Sequence, residues 1–299
     1  MIDVYVKLSP LVFSYLLGIV LRRTRILEKH DGAVLLRIVF YVALPALMFL
    51  SLPGAELNRD FVVLPFVAVA IILVTYLMAF TVFRRFRYEP RVFGVTLVGS
   101  MIVNTAFIYP FVILMEGSEG FARVAMYDFG NALLVLTLVY YIASRYGDAA
   151  ENSVGAIKRV LLAPPLWALI VGVTLNLTGT GVHPAIRTIL TPAGNLMIPL
   201  VMMALGIYFS PRLVRPRLLF AVLAVRLGGG LLVALVVCAA LGLDGLTRAV
   251  VIICGASPIG FNTLVYSSIA KLDVDFAASL LSTSIFLAML YLPALLAVL

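Results

Sequence analysis

Charge is what this sequence has least of. Asp, Glu, Lys and Arg make up 12% of the 299 residues, while 63% are hydrophobic; ordinary soluble domains carry roughly 25% charged residues. A soluble fold of this size has too little interior to hide so much apolar surface. That balance excludes the soluble class, and a mean hydropathy of +1.14 places the chain in a membrane. Cysteine is also scarce. Cys238 and Cys254 both fall inside apolar runs, where they read as small buried hydrophobes and exclude a disulfide framework or a thiolate metal site. The two histidines, His30 and His183, fall in loops expected on opposite membrane faces and cannot share a metal. Enzyme classes recede with them. Intramembrane hydrolysis needs a His, or a His and carboxylate cluster, at membrane depth, and prenyl transfer needs paired acids to hold magnesium. Asp273 and Asp275 are the nearest acidic pair and would face apart on a helix. No enzymatic activity, metal or cofactor is expected.

What is present is a series of apolar runs. Taking about 20 residues to span the hydrocarbon core, the chain divides into ten helices near 4–21, 33–52, 61–83, 92–115, 121–143, 160–177, 186–209, 218–241, 246–270 and 275–297. The first run is followed, not preceded, by Arg22, Arg23 and Arg25, the reverse of a removable signal peptide, so it is expected to stay as a helix. The net charge of +8 does not point to nucleic acid, because the basic residues gather in short loops with no basic face. The odd-numbered loops hold fifteen Lys and Arg; the N-terminus and even-numbered loops hold five. The positive-inside rule then puts both termini outside the cell membrane.

A repeat organises these helices. Pro10 and Pro164, Gly18 and Gly172, Pro45 and Pro199, and Asn104 and Pro258 are each 154 apart. One gapless offset superposes helices one, two and four on six, seven and nine. The expected fold is therefore an all-α integral membrane protein of ten transmembrane helices, built as two inverted five-helix repeats, 1–143 and 160–299, joined by a cytoplasmic linker at 144–159. Five is odd, so the second repeat enters from the opposite side.

Helices four and nine are interrupted, at Asn104-Thr105-Ala106-Phe107-Ile108-Tyr109-Pro110 and at Ser257-Pro258-Ile259-Gly260-Phe261-Asn262. Lipid cannot satisfy broken backbone, so such gaps must face protein or a cavity. Pro110 is expected to open one half-helix with Asn104 capping or lining the gap, and Asn262 to open the other. Each half-helix N-terminus carries about half a positive charge; two that converge make an anion site. A packing kink is the simpler reading of either break alone. Arg226 lies ~13 Å into helix eight at 1.5 Å per residue, too deep for easy snorkelling; it can draw a carboxylate substrate, pair with Asp128, or form an internal structural pair. Arg37, nearer a helix end, reads as snorkelling. Asp128, with Asn131 one turn on, is the candidate proton or cation coupling group, with a satisfied structural role as the alternative. Asn195, and Tyr41 at the same repeat position, either border a substrate path or bond between helices.

The two breaks, Leu44-Pro45, Asp128-Phe129-Gly130-Asn131 and Leu281-Ser282-Thr283-Ser284-Ile285-Phe286 running to Pro293 together resemble the auxin efflux carrier family, across essentially the whole chain. The resemblance implies the fold of bile acid/sodium symporters, with crossed broken helices 4 and 9. It also implies a scaffold of helices 1, 2, 6 and 7, often a homodimer interface, and a moving transport domain of helices 3–5 and 8–10. Carried over, Asn104, Pro110, Pro258 and Asn262 form the crossover site of a permease for small organic anions, with the scaffold at Pro45 and Pro199 facing it; Thr105 and Ser257, inside the two breaks, are further substrate-binding candidates. The sodium-binding acids of bile acid symporters have no counterpart here. A cation-coupled symporter of larger amphipathic anions, and a membrane sensor that binds such an anion without moving it, are the alternatives.

Overall fold

A peptide chain crosses lipid as helix because nothing in the hydrocarbon can pair an open N–H or carbonyl. The computed structural model describes residues 2–148, 161–210 and 212–299, the side chains of residues 2–5 excepted. Among the described residues the fold is all helix, with no strand beyond one isolated bridge. In chain order the α-helices are α1 (Ile2–Arg23), α2 (Lys29–Ile38), α3 (Leu44–Ser51), α4 (Arg59–Phe83), α5 (Pro90–Met101), α6 (Thr105–Leu134) and α7 (Tyr140–Tyr146). They continue as α8 (Pro164–Leu177), α9 (Pro184–Asn195), α10 (Met197–Tyr208), α11 (Pro216–Leu223), α12 (Gly230–Leu241), α13 (Gly245–Gly255), α14 (Asn262–Ile269) and α15 (Val274–Leu296).

Six continuous stretches among the described residues are long and apolar enough to cross a membrane: Lys29–Gly54, Arg59–Phe83, Thr105–Tyr146, Pro184–Tyr208, Pro216–Leu241 and Val274–Leu296. Their outward faces are apolar. Phe66, Ile189 and Leu290 are 70%, 73% and 61% exposed, a surface suited to lipid and not to water.

Local chemistry explains where the helices begin. Pro90, Pro164, Pro184 and Pro216 each open a helix, where the missing N–H is not needed and the fixed φ suits the first turn. Asn58 and Asp273 open α4 and α15, accepting from the Phe61 and Phe276 amides at 2.9 and 3.0 Å; such caps pair amides that would otherwise lack partners.

The structure departs from the apolar-run boundaries where the helical ladder changes. Residues 92–115 are two pieces, α5 and the first arm of α6. Within α6, Gly117 at φ 65° and ψ −152° separates that arm from the next, a conformation essentially restricted to glycine. The run at 121–143 extends through a π-turn at Val135–Val139 to Tyr146, so the first residues of the expected 144–159 linker are helical; from residue 149 that linker lies outside the described residues. Two further π-turns occupy Val39–Ala43 and Ala224–Gly229. The first ends two residues before Pro45, which has no N–H for the regular ladder.

In the packed structure α1 runs along α10, α3 lies against α8 and α9, and α4 against α6. The α5–α6 and α13–α14 breaks meet each other.

Candidate functional site

The site is built on two helices that stop and restart side by side. α5 ends at Met101 and α13 at Gly255, and α6 and α14 begin at Thr105 and Asn262. Between the ends, Val103 and Ile259 form an antiparallel bridge. The Asn104 N–H donates to the Pro258 carbonyl, and the Gly260 N–H to the Ile102 carbonyl, both at 3.2 Å. The breaks thereby satisfy each other's backbone, which is what permits them at membrane depth.

Asn104 is committed to this junction. Its Nδ2 donates to the Ile259 carbonyl at 3.0 Å, its Oδ1 accepts from the Phe107 amide at 3.1 Å, and it is 2% exposed. It therefore caps α6. Pro110 does not open that half-helix as the sequence pattern suggested: with Thr105 as first residue, Pro110 falls inside α6, because the Asn104 cap starts the helix earlier. What Pro110 contributes is a missing N–H for the Ala106 carbonyl. Asn262 does begin α14. Its first turn has no side-chain cap, its side chain is exposed, and no hydrogen bond among the described residues occupies its amide.

Next to the junction is a cavity of about 520 Å³, within the usual range for a small-molecule site. Asn104, Thr105, Asp128, Asn131 and Asn262 line it, and so does Ala106. Further lining comes from α2, the π-turn after it, α3, α8 and α10 through residues such as Leu36, Phe40, Met48, Leu169 and Met197. Of the expected site residues, the fold brings together the α6 start, Asp128, Asn131 and Asn262. Ser257, Pro258 and Pro110 are buried behind the lining.

Asp128 receives three neutral donors. Thr105 Oγ1 and Asn131 Nδ2 donate to Oδ1 at 2.7 and 2.9 Å, and Tyr109 Oη donates to Oδ2 at 3.2 Å. None of the ion pairs among the described residues includes it. Beside it, Asn131 Oδ1 is buried and has no hydrogen-bond partner. The cavity thus carries a carboxylate held by neutral groups and a spare acceptor, alongside the free Asn262 amide.

Three expectations are corrected. Arg226 is fully buried but forms no pair with Asp128, and it does not line the cavity; its N–H groups are turned to carbonyls at the ends of α5 and α13 and to Ser257. Tyr41 is 59% exposed and is not part of the cavity lining, while its neighbour Phe40 in the π-turn is. Asn195 is exposed at the C-terminus of α9, outside the lining, and Met197 two residues on faces the cavity instead.

The cavity also contains residues that sequence reasoning passed over. Arg37 lines it and takes part in no ion pair among the described residues. Its position near a helix end suggested snorkelling, and nothing in the apolar pattern reveals that this face of α2 borders a cavity. Tyr109 lay within the recognised break, so its signal was present. Among the described residues no group of three or more His, Cys, Asp or Glu is placed to hold a metal ion.

The chain matches a family model described as membrane transport protein over residues 3–296. It is 31% identical over 294 residues to an uncharacterized transporter of Methanothermobacter thermautotrophicus, covering 96% of this chain and 95% of that one. It is 26% identical over 264 residues to an uncharacterized transporter of Methanocaldococcus jannaschii, covering 85% of each. An all-helical chain with several membrane-crossing stretches and a match running almost end to end belongs to the membrane transport protein family, the family of auxin efflux carriers that its broken helices resemble.

Proposed function

We propose that this protein is a secondary transporter of small organic carboxylate anions that works by elevator-type alternating access. The observation that carries the reading is the cavity's composition and place. Its polar end holds the free Asn262 amide at an uncapped helix N-terminus, its remaining wall is largely apolar, and Arg37, in no ion pair among the described residues, lines it as well. A carboxylate fits the N-terminal amides of α14, where the helix dipole favours negative charge, and apolar walls favour a single carboxylate on an aliphatic or aromatic body over a dicarboxylate. The two sides of the cavity come from the helices expected as scaffold and as moving domain, which is where a substrate must sit if one is to slide against the other. The antiparallel bridge and the common 154-residue offset support ten spans in two inverted repeats with crossed breaks. In this reading both termini face outside the cell membrane and scaffold helices pair two copies as a homodimer.

Asp128 favours a coupled version of the same mechanism. It is the carboxylate lining the cavity, without a cation partner among the described residues, and can take up and release a proton as the site changes sides. Flux in proteoliposomes decides the matter. Radiolabelled aromatic and aliphatic monocarboxylates are expected to exchange across the bilayer, and an imposed proton gradient to drive net movement. A carboxylate that binds but is never exchanged under any gradient would leave a membrane sensor as the answer. Dependence on a sodium gradient would favour a cation-coupled symporter.

A further inference from the structure

Arg226 is the feature that the proposed substrate path leaves unused, and burying it is costly. An ionisable side chain at membrane depth faces the bundle interior or a water-filled cavity and pairs with another charge or with backbone carbonyls. Here the side chain is fully buried, does not line the cavity, and takes part in no ion pair among the described residues. Its partners are all oxygens of the junction: Nε to the Ile102 carbonyl at 3.2 Å, Nη1 to the Gly255 carbonyl at 3.1 Å, and Nη2 to the Cys254 carbonyl at 3.3 Å and to Ser257 Oγ at 2.7 Å.

These oxygens have a common origin. Ile102 follows the last residue of α5, and Cys254 and Gly255 are the last two of α13. Two helix C-termini therefore converge on the guanidinium, each with about half a negative charge. The local backbone makes room for it. A π-turn at Ala224–Gly229 carries the arginine, and a Cβ on Gly230 would lie 2.4 Å from both Arg226 Nη1 and the Gly255 carbonyl oxygen, so a side chain there would close the site. Unwound carbonyls and helix C-termini near the midplane are also the oxygen set that transporters use to hold a monovalent metal ion.

We propose that Arg226 is a tethered cation: its guanidinium fills a carbonyl and hydroxyl cage at the junction of the two breaks that would otherwise take a monovalent cation. The junction consequently assembles without Na⁺ or K⁺, and removing the arginine converts the cage into a site for a free cation. Arg226 here is a positioning residue. By neutralising the two C-terminal ends it leaves the N-terminal end of α14, which no side chain caps, as the positive pole that faces the cavity. The inference stands on the geometry of the cage and is independent of what the protein transports.

The test is the unfolding midpoint of the purified full chain in detergent, in NaCl, KCl or choline chloride at equal ionic strength, for the wild type, R226K, R226A and R226M. The wild type and R226K are expected to be indifferent to the cation. R226A is expected to unfold earlier in choline chloride and to recover by about 3 °C in NaCl or KCl at tenfold the dissociation constant, and likewise with guanidinium chloride at low millimolar concentration but not with urea. Selective stabilisation of the wild type by Na⁺ or K⁺ overturns the proposal, as does an R226A midpoint that no cation raises above choline. If R226A yields no folded protein, R226K and R226M decide: folded R226K with no R226M supports the tethered charge. R226M with a wild-type midpoint in choline, or R226K that also fails to fold, overturns it.

Discussion

Asn104 and Asn262 sit at the starts of α6 and α14, and their side chains are used differently. Asn104 spends its amide on Ile259 and Phe107 inside the protein, so Asn104→Ala is expected to cost about 1–3 kcal/mol of stability through unpaired buried groups, read as a fall in unfolding midpoint. Asn262 faces the cavity with its amide unoccupied, so Asn262→Ala should leave that midpoint within a degree or two and weaken carboxylate binding roughly tenfold, the loss of one hydrogen bond to a charged ligand. An unchanged dissociation constant would remove Asn262 from the site. Asp128→Asn keeps the size of a side chain that three neutral donors hold. The variant should still exchange substrate across proteoliposomes but gain nothing from an imposed proton gradient. If the gradient still drives uptake, the coupling group lies elsewhere. Residue type alone singled out Asn104, Asp128 and Asn262, because polar side chains are conspicuous in apolar runs. It could not distinguish the amide that is consumed from the one that is free, since that depends on which neighbours the fold supplies.

Helix boundaries were legible where chemistry is local. Runs of about 20 apolar residues mark most elements to within a few positions, whereas the caps at Asn58 and Asp273 were seen only in the structure and the one proline expected to open a helix, Pro110, falls inside α6. The π-turns were not legible, because an extra residue in a helical ladder leaves no mark on an apolar run, and each shifts the face presented afterwards. Phe40, inside the first of them, lines the cavity and Tyr41 beside it does not. The bend at Gly117 offers a clean test at this scale. A Cβ there would meet nothing within 4 Å, so Gly117→Ala introduces backbone strain without a clash. The φ of 65° and ψ of −152° set the cost at about 1–3 kcal/mol. Denaturation in mixed micelles should report that loss, and a variant as stable as the wild type would mean that the bend can relax.

For the molecule as a whole, alternating access requires the two walls of the cavity to move past each other. Phe40 in the π-turn after α2 and Phe129 in α6 both line the cavity and are 40% and 36% exposed, while both native cysteines are buried. Cysteines at these two positions, joined by a short bifunctional maleimide, should abolish flux, while the same double variant left uncross-linked should retain it. Transport that survives the cross-link would rule out sliding between these walls. The sequence by itself determined that the chain lives in a membrane, roughly where its helices run and which two of them are interrupted. Each of these follows from the cost of placing charge or open backbone in lipid, a cost that one segment bears alone. Only the tertiary structure decided that the two interruptions bond to each other, that Arg226 serves two helix ends instead of Asp128, and that Arg37 borders a cavity. Those outcomes depend on groups more than 100 residues apart competing for the same few partners, and nothing along a single helix records who wins.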